Sequence, residues 1–254
     1  MTGALRANEA AVTLPVRSRV DRERHNGFLR KGGTLRLLRD CFLLQSLDDD
    51  QIQDLAAHSH VRQVGARATL SDPGEPEPGL CIVRRGALKV CSPSRSGREL
   101  ILDLLEPDDF IGEFSALETP PGAVRVIALR RSELLIIPGS VFQQLVLHDA
   151  GVRLACLHSA VRRVRQAEAA LQRLAYENVH GRVEGTLRQL AVEEGVSQAD
   201  GVLLRRRPSQ GLLAGLCGTT RETVSRVLRD LETRGVLKCD GRRVLLLAIP
   251  GGLG

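Results

Sequence analysis

Apolar positions along this chain recur at different spacings in successive stretches, and each change of spacing marks a change of element. Residues 1–35 are polar, mixed in charge and without a period, which predicts a mostly disordered segment. LRLLRDCFLLQSL and DDDQIQDLAAH follow, where Asp48 or Asp49 can cap a helix carrying Ile52, Leu55 and Ala56 on one face. From 61 to 138, short apolar runs (GLCIVRR, ALKVCS, ELILDLL, VRVIAL, ELLIIP) are separated by Gly, Pro or Asp clusters. Short runs between regular turns predict antiparallel β-structure closed into a sandwich or barrel.

From 139 to 178 the spacing becomes helical. Leu154, Leu157, Val161, Val164 and Leu171 fall, with Ala150, Glu168 and Ala175, in alternating steps of four and three, a heptad-like seam. A helix over 150–178 would be about 43 Å long. It can be buried within one chain or pair with its twin, and the near-strict period favours a two-helix seam. Glu168 is the polar intruder: it fixes register, faces a ligand or sits at the seam edge.

The C-terminal unit reads as a strand (VLLRRR), a helix capped by Ser209 (SQGLLAGLCG), a tight turn at Gly218 and a second helix. A hairpin turning at Asp240-Gly241 ends it (VLKCDGRRVLLL). Helix–turn–helix plus hairpin is a winged helix-turn-helix arrangement. In the second helix Val224, Val227, Leu228 and Leu231 form one stripe, with Gly235 placed to end it. The opposite stripe is Arg221, Glu222, Ser225, Arg226 and Arg229. Such a helix fits a DNA major groove, where Arg donates two hydrogen bonds to guanine and a carboxylate accepts from cytosine. Two blander readings stay open. Thr219-x-x-Glu222 is also a capping box, and on a solvated face Arg226 can pair with Asp230 and Arg229 with Glu222 or Asp230. Ser209, Gln210, Thr220, Thr223, Ser225, Arg242 and Arg243 suit phosphate contacts that position without specifying.

Composition sharpens this picture. Residues 1–35 carry 7 basic and 3 acidic side chains, residues 36–184 carry 18 and 20, and residues 185–254 carry 11 and 7. A near-neutral middle joined to a basic end fits a nucleic-acid-binding unit attached to something else. No apolar run is long enough for a membrane span and no leader peptide is read, so a cytoplasmic protein without membrane contact is expected. The 6 cysteines are scattered without a C-x-x-C pair, which suits buried reduced thiols. Cys217 is either buried packing or a thiol switch. His58-x-His60 is either a metal or haem pair or two surface residues at a helix-to-strand junction. No catalytic constellation or phosphate loop is found, so no enzyme and no metal site are expected.

TTRETVSRVLRDLETRGVL (219–237) resembles the recognition helix of the cyclic-AMP receptor/fumarate-nitrate regulator (CRP/FNR) family of bacterial transcription factors. FIGEFSAL (110–117) is similar to the phosphate-cassette entry of that family's β-roll. RRGALKV (84–90) resembles its roll hairpin, and LAYENVHGRVEGTLRQLA (174–191) its hinge. The resemblance implies an α+β fold: a cyclic-nucleotide-binding-like jelly roll over 36–138, a dimerisation helix region over 139–178 and a winged helix-turn-helix over 179–254. It implies a homodimer on near-palindromic double-stranded DNA, with RNA polymerase as a further partner. Arg221, Glu222 and Arg226 take the family's base-reading roles, so TGTGA-like half-sites are expected. The ligand site departs from the pattern. Gly112, Glu113, Arg125 and Glu168 are the pocket candidates, of which Glu113 alone matches the family set. Gly122-Ala123 stands where cyclic-AMP binders carry Arg-Ser, and Ala167-Glu168 where they carry Thr-Ser. The family's usual cyclic-AMP binding is therefore expected to be absent, with no other effector or cofactor assigned. Iron–sulfur members carry clustered N-terminal cysteines, whereas Cys41 stands alone.

Overall fold

A computed structural model describes residues 33–75, 78–94, 98–114, 124–205 and 207–247. The expectation for the first 32 residues, and the Gly122-Ala123 position, lie outside these.

Helix α1 (Thr34–Asp40), a 3-10 turn (Phe42–Leu44) and helix α2 (Asp49–His58) open the described chain. Of the two candidate caps, Asp48 is the one used. Its carboxylate accepts from Gln51 N–H at 2.8 Å, while the Gln51 side chain accepts from Asp48 N–H at 2.9 Å. Eight strands follow: β1 (His60–Val64), β2 (Thr69–Ser71), β3 (Gly79–Arg85), β4 (Leu88–Pro93), β5 (Glu99–Leu105), β6 (Phe110–Ile111), β7 (Arg125–Ala128) and β8 (Ser132–Pro138). They form two antiparallel sheets, ordered β1-β8-β3-β6 and β2-β7-β4-β5. Residues from both sheets, among them Val83, Val90, Val126 and Ile136, share one apolar core.

The unbroken apolar runs of β3 and β8 have a simple cause: both strands are covered on two faces. Cys81, Val83, Leu134 and Ile136 point into the roll. Leu80, Ile82, Leu135 and Ile137 point outward, against Leu38, Leu44, Ile52 and Phe142 from the helices. Helix α3 (Gly139–His148) leads to the long α4 (Ala150–Tyr176), 27 residues and about 40 Å. Asp149 caps α4, accepting from Val152 N–H and from the Ser46 hydroxyl, both at 2.8 Å.

Past an extended link at Glu177 and Asn178 comes the C-terminal unit: α5 (Val179–Glu194), β9 (Val196–Gln198), β10 (Gly201–Leu204), α6 (Gln210–Leu216), α7 (Arg221–Thr233), β11 (Leu237–Asp240) and β12 (Arg243–Leu247). Its sheet runs β11-β12-β10-β9, and its own core joins Val183, Leu187, Leu213, Val224, Val227, Leu231, Leu237 and Val244. The wing turns one residue later than Asp240-Gly241. Asp240 pairs across the ladder with Arg243, so the two-residue loop is Gly241-Arg242, with Gly241 at φ +57°. Pairing of β11 with β12 sets that register, and the loop opens on the residue that takes positive φ without strain.

Leu231 is fully buried where α7 meets the sheet. Leu231→Ala is expected to destabilise the folded chain by about 2–5 kcal/mol in urea denaturation. A change within experimental error would show that α7 is not held by this core.

Candidate nucleic-acid interface

The turn between α6 and α7 is made by two adjacent hydrogen bonds. Gly218 has φ +60°, Thr219 N–H reaches Ala214 O at 2.9 Å, and Gly218 N–H reaches Gly215 O at 3.4 Å. These bonds satisfy carbonyls left open at the end of α6. Thr220 is extended and caps α7, its hydroxyl accepting from Thr223 N–H at 3.2 Å. The cap is thus Thr220 rather than Thr219, Thr223 supplies the capped amide, and the reciprocal half of the capping box read at Thr219 and Glu222 is absent. At the far end Gly235 (φ +69°) and Val236 return N–H bonds to Glu232 O at 3.1 Å and Leu231 O at 2.9 Å. Both ends of α7 are closed by sequence-encoded stops.

Between those stops Val224, Val227, Leu228 and Leu231 are buried, which turns Arg221, Glu222, Arg226 and Arg229 outward. Thr223 and Ser225 are half-buried at the flanks. The ion pairs read for this face with Asp230 do not form. Asp230 instead takes Arg234 at 3.4 Å and His180 at 3.6 Å. Arg229 Nε rests on Ser225 O at 3.4 Å. Arg226 has no carboxylate partner among the described residues. The Glu222 carboxylate accepts from its own N–H and from the Thr220 hydroxyl, and with Arg221 beside it these hold its pKa below the usual carboxylate range. These bonds turn the Glu222 carboxylate toward the start of α7, as the capping reading of this residue has it.

Around this ridge lie the other predicted contacts. Ser209 caps α6, accepting from Leu212 N–H at 3.2 Å, and Gln210 begins that helix. Arg242 is exposed, but its guanidinium donates to Arg207 O at 3.2 and 3.1 Å, so it fastens the wing to the segment before α6. Arg243 is exposed at the wing with no acidic partner among the described residues. Cys217 is buried against Thr186 and the Arg182 carbonyl, and burial pushes its thiol pKa up, which favours packing over a thiol switch.

A second polar site lies under α4. Gly112 (φ +95°) leads into Glu113, whose side chain is 1% exposed. Its Oε1 accepts from Ser159 Oγ at 3.0 Å and Arg163 Nε at 2.8 Å, both on α4. Arg163 also lies over the Phe114 ring at 5.5 Å. Burial raises the pKa of Asp103, and the Arg163 charge opposes that rise. The other pocket candidates are not brought here. Arg125 is paired with Asp72, and Glu168 is exposed on α4. His58 ends α2 with Nδ1 2.8 Å from Asp54 O, and His60 opens β1.

On the outer side of α4, Leu154, Leu157, Val161, Val164 and Leu171 are between 44% and 65% exposed, whereas Val152, Cys156, Ser159 and Ala169 are buried. The predicted seam is therefore a solvent-facing apolar stripe in the single chain.

A model of the cyclic nucleotide-binding domain matches residues 61–149, and a model of the Crp-like helix-turn-helix domain matches residues 181–251. The CRP-like protein Clp of Xanthomonas euvesicatoria is 31% identical over 214 residues, 79% of this chain and 90% of that protein. This chain belongs to the CRP/FNR family. It is a DNA-binding transcription regulator with that family's α+β fold. The cAMP-activated global transcriptional regulator CRP of Salmonella typhimurium is 26% identical over 78% of this chain and 94% of its own length. The solved structure of the c-di-GMP-responsive regulator CLP from Xanthomonas campestris superposes with a TM-score of 0.68 at 29% identity, covering 80% of this chain and 100% of that one. Among the described residues of this CRP/FNR regulator, no helix is long and apolar enough to cross a membrane, and no group of three or more His, Cys, Asp or Glu is placed to hold a metal ion.

Sequence reasoning found Glu113 but missed Ser159 and Arg163. Their signal is a Ser and an Arg four apart, so on one face of the helix that bears the apolar stripe. Nothing local says that this face meets residue 113. Arg163→Met would leave Glu113 buried without its cation and is expected to destabilise the CRP/FNR roll by about 3–5 kcal/mol in urea denaturation. Adding Glu113→Gln is expected to recover most of that loss. A double variant no better than the single would show that the pair is not coupled.

Proposed function

We propose that this regulator works as a homodimer that reads a near-palindromic DNA site of TGTGA-like half-sites, without the family's usual control by cyclic AMP. The observation that carries the reading is the outward ridge of α7, where Arg221, Glu222 and Arg226 stand exposed opposite a buried stripe. An Arg free of carboxylates suits guanine O6 and N7, and an exposed carboxylate suits a cytosine amino group. Ser209, Gln210, Thr220, Thr223, Ser225 and Arg243 surround this ridge as phosphate contacts, and Arg242 holds the wing in place for them.

Dimerisation is supported by the apolar stripe of α4, whose five large residues a single chain leaves open to water. A parallel pairing along it would present two reading helices to half-sites about one helical turn apart. Glu168 in that stripe is the polar residue that sets register. Bound to a promoter in the cytoplasm, such a dimer acts through RNA polymerase.

The departure from cyclic-AMP control is supported by two features. Glu113 Oε1 is already engaged by Ser159 and Arg163 on α4. Gly122-Ala123 offers no cation to a cyclic phosphate, and a buried uncompensated charge costs several kcal/mol.

Selection of bound DNA from a random pool, using ligand-free protein, tests both halves of this reading. Paired TGTGA-like half-sites are expected without added nucleotide. Arg221→Ala is expected to weaken binding to the selected site by about 1–3 kcal/mol and to relax one base position, as read by fluorescence anisotropy. An unchanged site preference would remove Arg221 from the reading set. Glu222 gives a second expectation, in pH. The ionised carboxylate is the stronger acceptor for the cytosine amino group, and Glu222 is held below the ordinary glutamate value of about 4.3. Discrimination at its base pair should stay level from about pH 8 to about pH 5 and decline only on further acidification. A marked loss between neutrality and pH 5.5, about one unit above the ordinary value, would show that another group carries that base pair.

A further inference from the structure

The C-terminal unit touches the roll at one place that neither core explains. Strand β5 is the free edge of its sheet. Ile101 on that edge is only 7% exposed, yet it belongs to neither the roll core nor the winged-helix core. What covers it is α6. A β-carbon placed on Gly215 would lie 2.6 Å from Ile101 Cδ1 and 2.7 Å from Ile101 Cγ1. One placed on Gly218 would lie 3.5 Å from Leu100 Cδ1 and 3.2 Å from Leu174 Cδ2 at the end of α4. At Gly215 a methyl would have to displace the Ile101 side chain, and a glycine inside a short helix has here a packing reason.

The strand is shaped for the contact. Successive strand residues normally point to opposite faces, yet Leu100 and Ile101 both meet the α6 turn. The register of β5 against β4 slips there: Ile101 pairs with Cys91 and Asp103 with Val90, which leaves Leu102 as the extra residue of a bulge. A bulge re-aims side chains at a sheet edge. The link between the two halves is otherwise thin, an extended pair at Glu177 and Asn178. Arg182 ties that link to the same turn, donating to Glu177 O at 2.7 Å and to Cys217 O at 2.9 Å.

We propose that the β5 rim and the Gly215/Gly218 cradle form a docking seat that orients the DNA-reading unit on the roll. The seat leaves the ridge of α7 exposed. Any event in the roll that shifts β5 then moves the reading helix. The proposal rests on the DNA-reading role of α7 given above.

Three full-length variants test it. Ile101→Ser changes the rim without touching either core. It is expected to speed amide exchange across residues 176–181 about tenfold and to weaken binding to the selected DNA site about tenfold, with the half-site sequence unchanged. Gly215→Ala forces a methyl into the seat and should act in the same direction. Adding Ile101→Ala to Gly215→Ala makes room for that methyl, so the double variant should be more protected than Gly215→Ala alone. Wild-type exchange at the junction in Ile101→Ser, or a double variant that simply adds the two losses, would overturn the seat. If the wild-type chain selected no half-site, the DNA reading would fail instead, and the exchange data would still decide whether the seat exists.

Discussion

Burial of one apolar stripe sets the orientation of everything that α7 presents. A helix advances about 100° per residue, so once Val224, Val227, Leu228 and Leu231 are fixed against α5, α6 and the wing sheet, no rotational freedom is left. Glu222, Arg226 and Arg229 must then project into solvent, with Arg221 at the leading end. The caps make this rotation definite: Thr220 starts the helix and Gly235 stops it, so the stripe begins and ends at fixed residues. Charge placement on this surface follows from apolar packing beneath it.

A different constraint governs the roll. Glu113 is a buried carboxylate, and a buried charge must be met by a cation and by hydrogen bonds. The chain meets it from α4, through Ser159 and Arg163. Helix α4 thereby carries three assignments around its circumference. Val152 and Cys156 pack on the helical layer outside the roll, Ser159 and Arg163 hold the loop after β6, and the Leu154–Leu171 stripe stays open. The carboxylate that the family pattern places in the ligand site is thus part of the internal bonding that joins the roll to α4.

Where reading and structure differ, the cause is the step from local pattern to long-range pairing. Thr219 and Thr220 are the same residue type, and the backbone at Gly218 chose between them as the cap. Asp240 and Arg243 became partners because β11 and β12 align on their apolar residues, which moved the loop by one. Strands β1, β2 and β6 left little trace. They are two to five residues long, and β1 is exposed over most of its length. The runs Leu80–Val83 of β3 and Leu134–Ile137 of β8 were plain because burial on both faces leaves no polar position within them.

By itself the sequence determined the order of the helices and the longer strands, the stripe and ridge of α7, the apolar seam of α4 and the basic character of the C-terminal unit. Each is written within one element, at the spacing of one helix or strand or in one turn motif. Only the tertiary structure decided that Glu113 meets Arg163 fifty residues away, that Arg242 turns to the Arg207 carbonyl, and that α6 rests on the rim of β5. Those contacts join residues far apart in the chain. No local periodicity encodes them, and they exist only once the sheets and helices have packed.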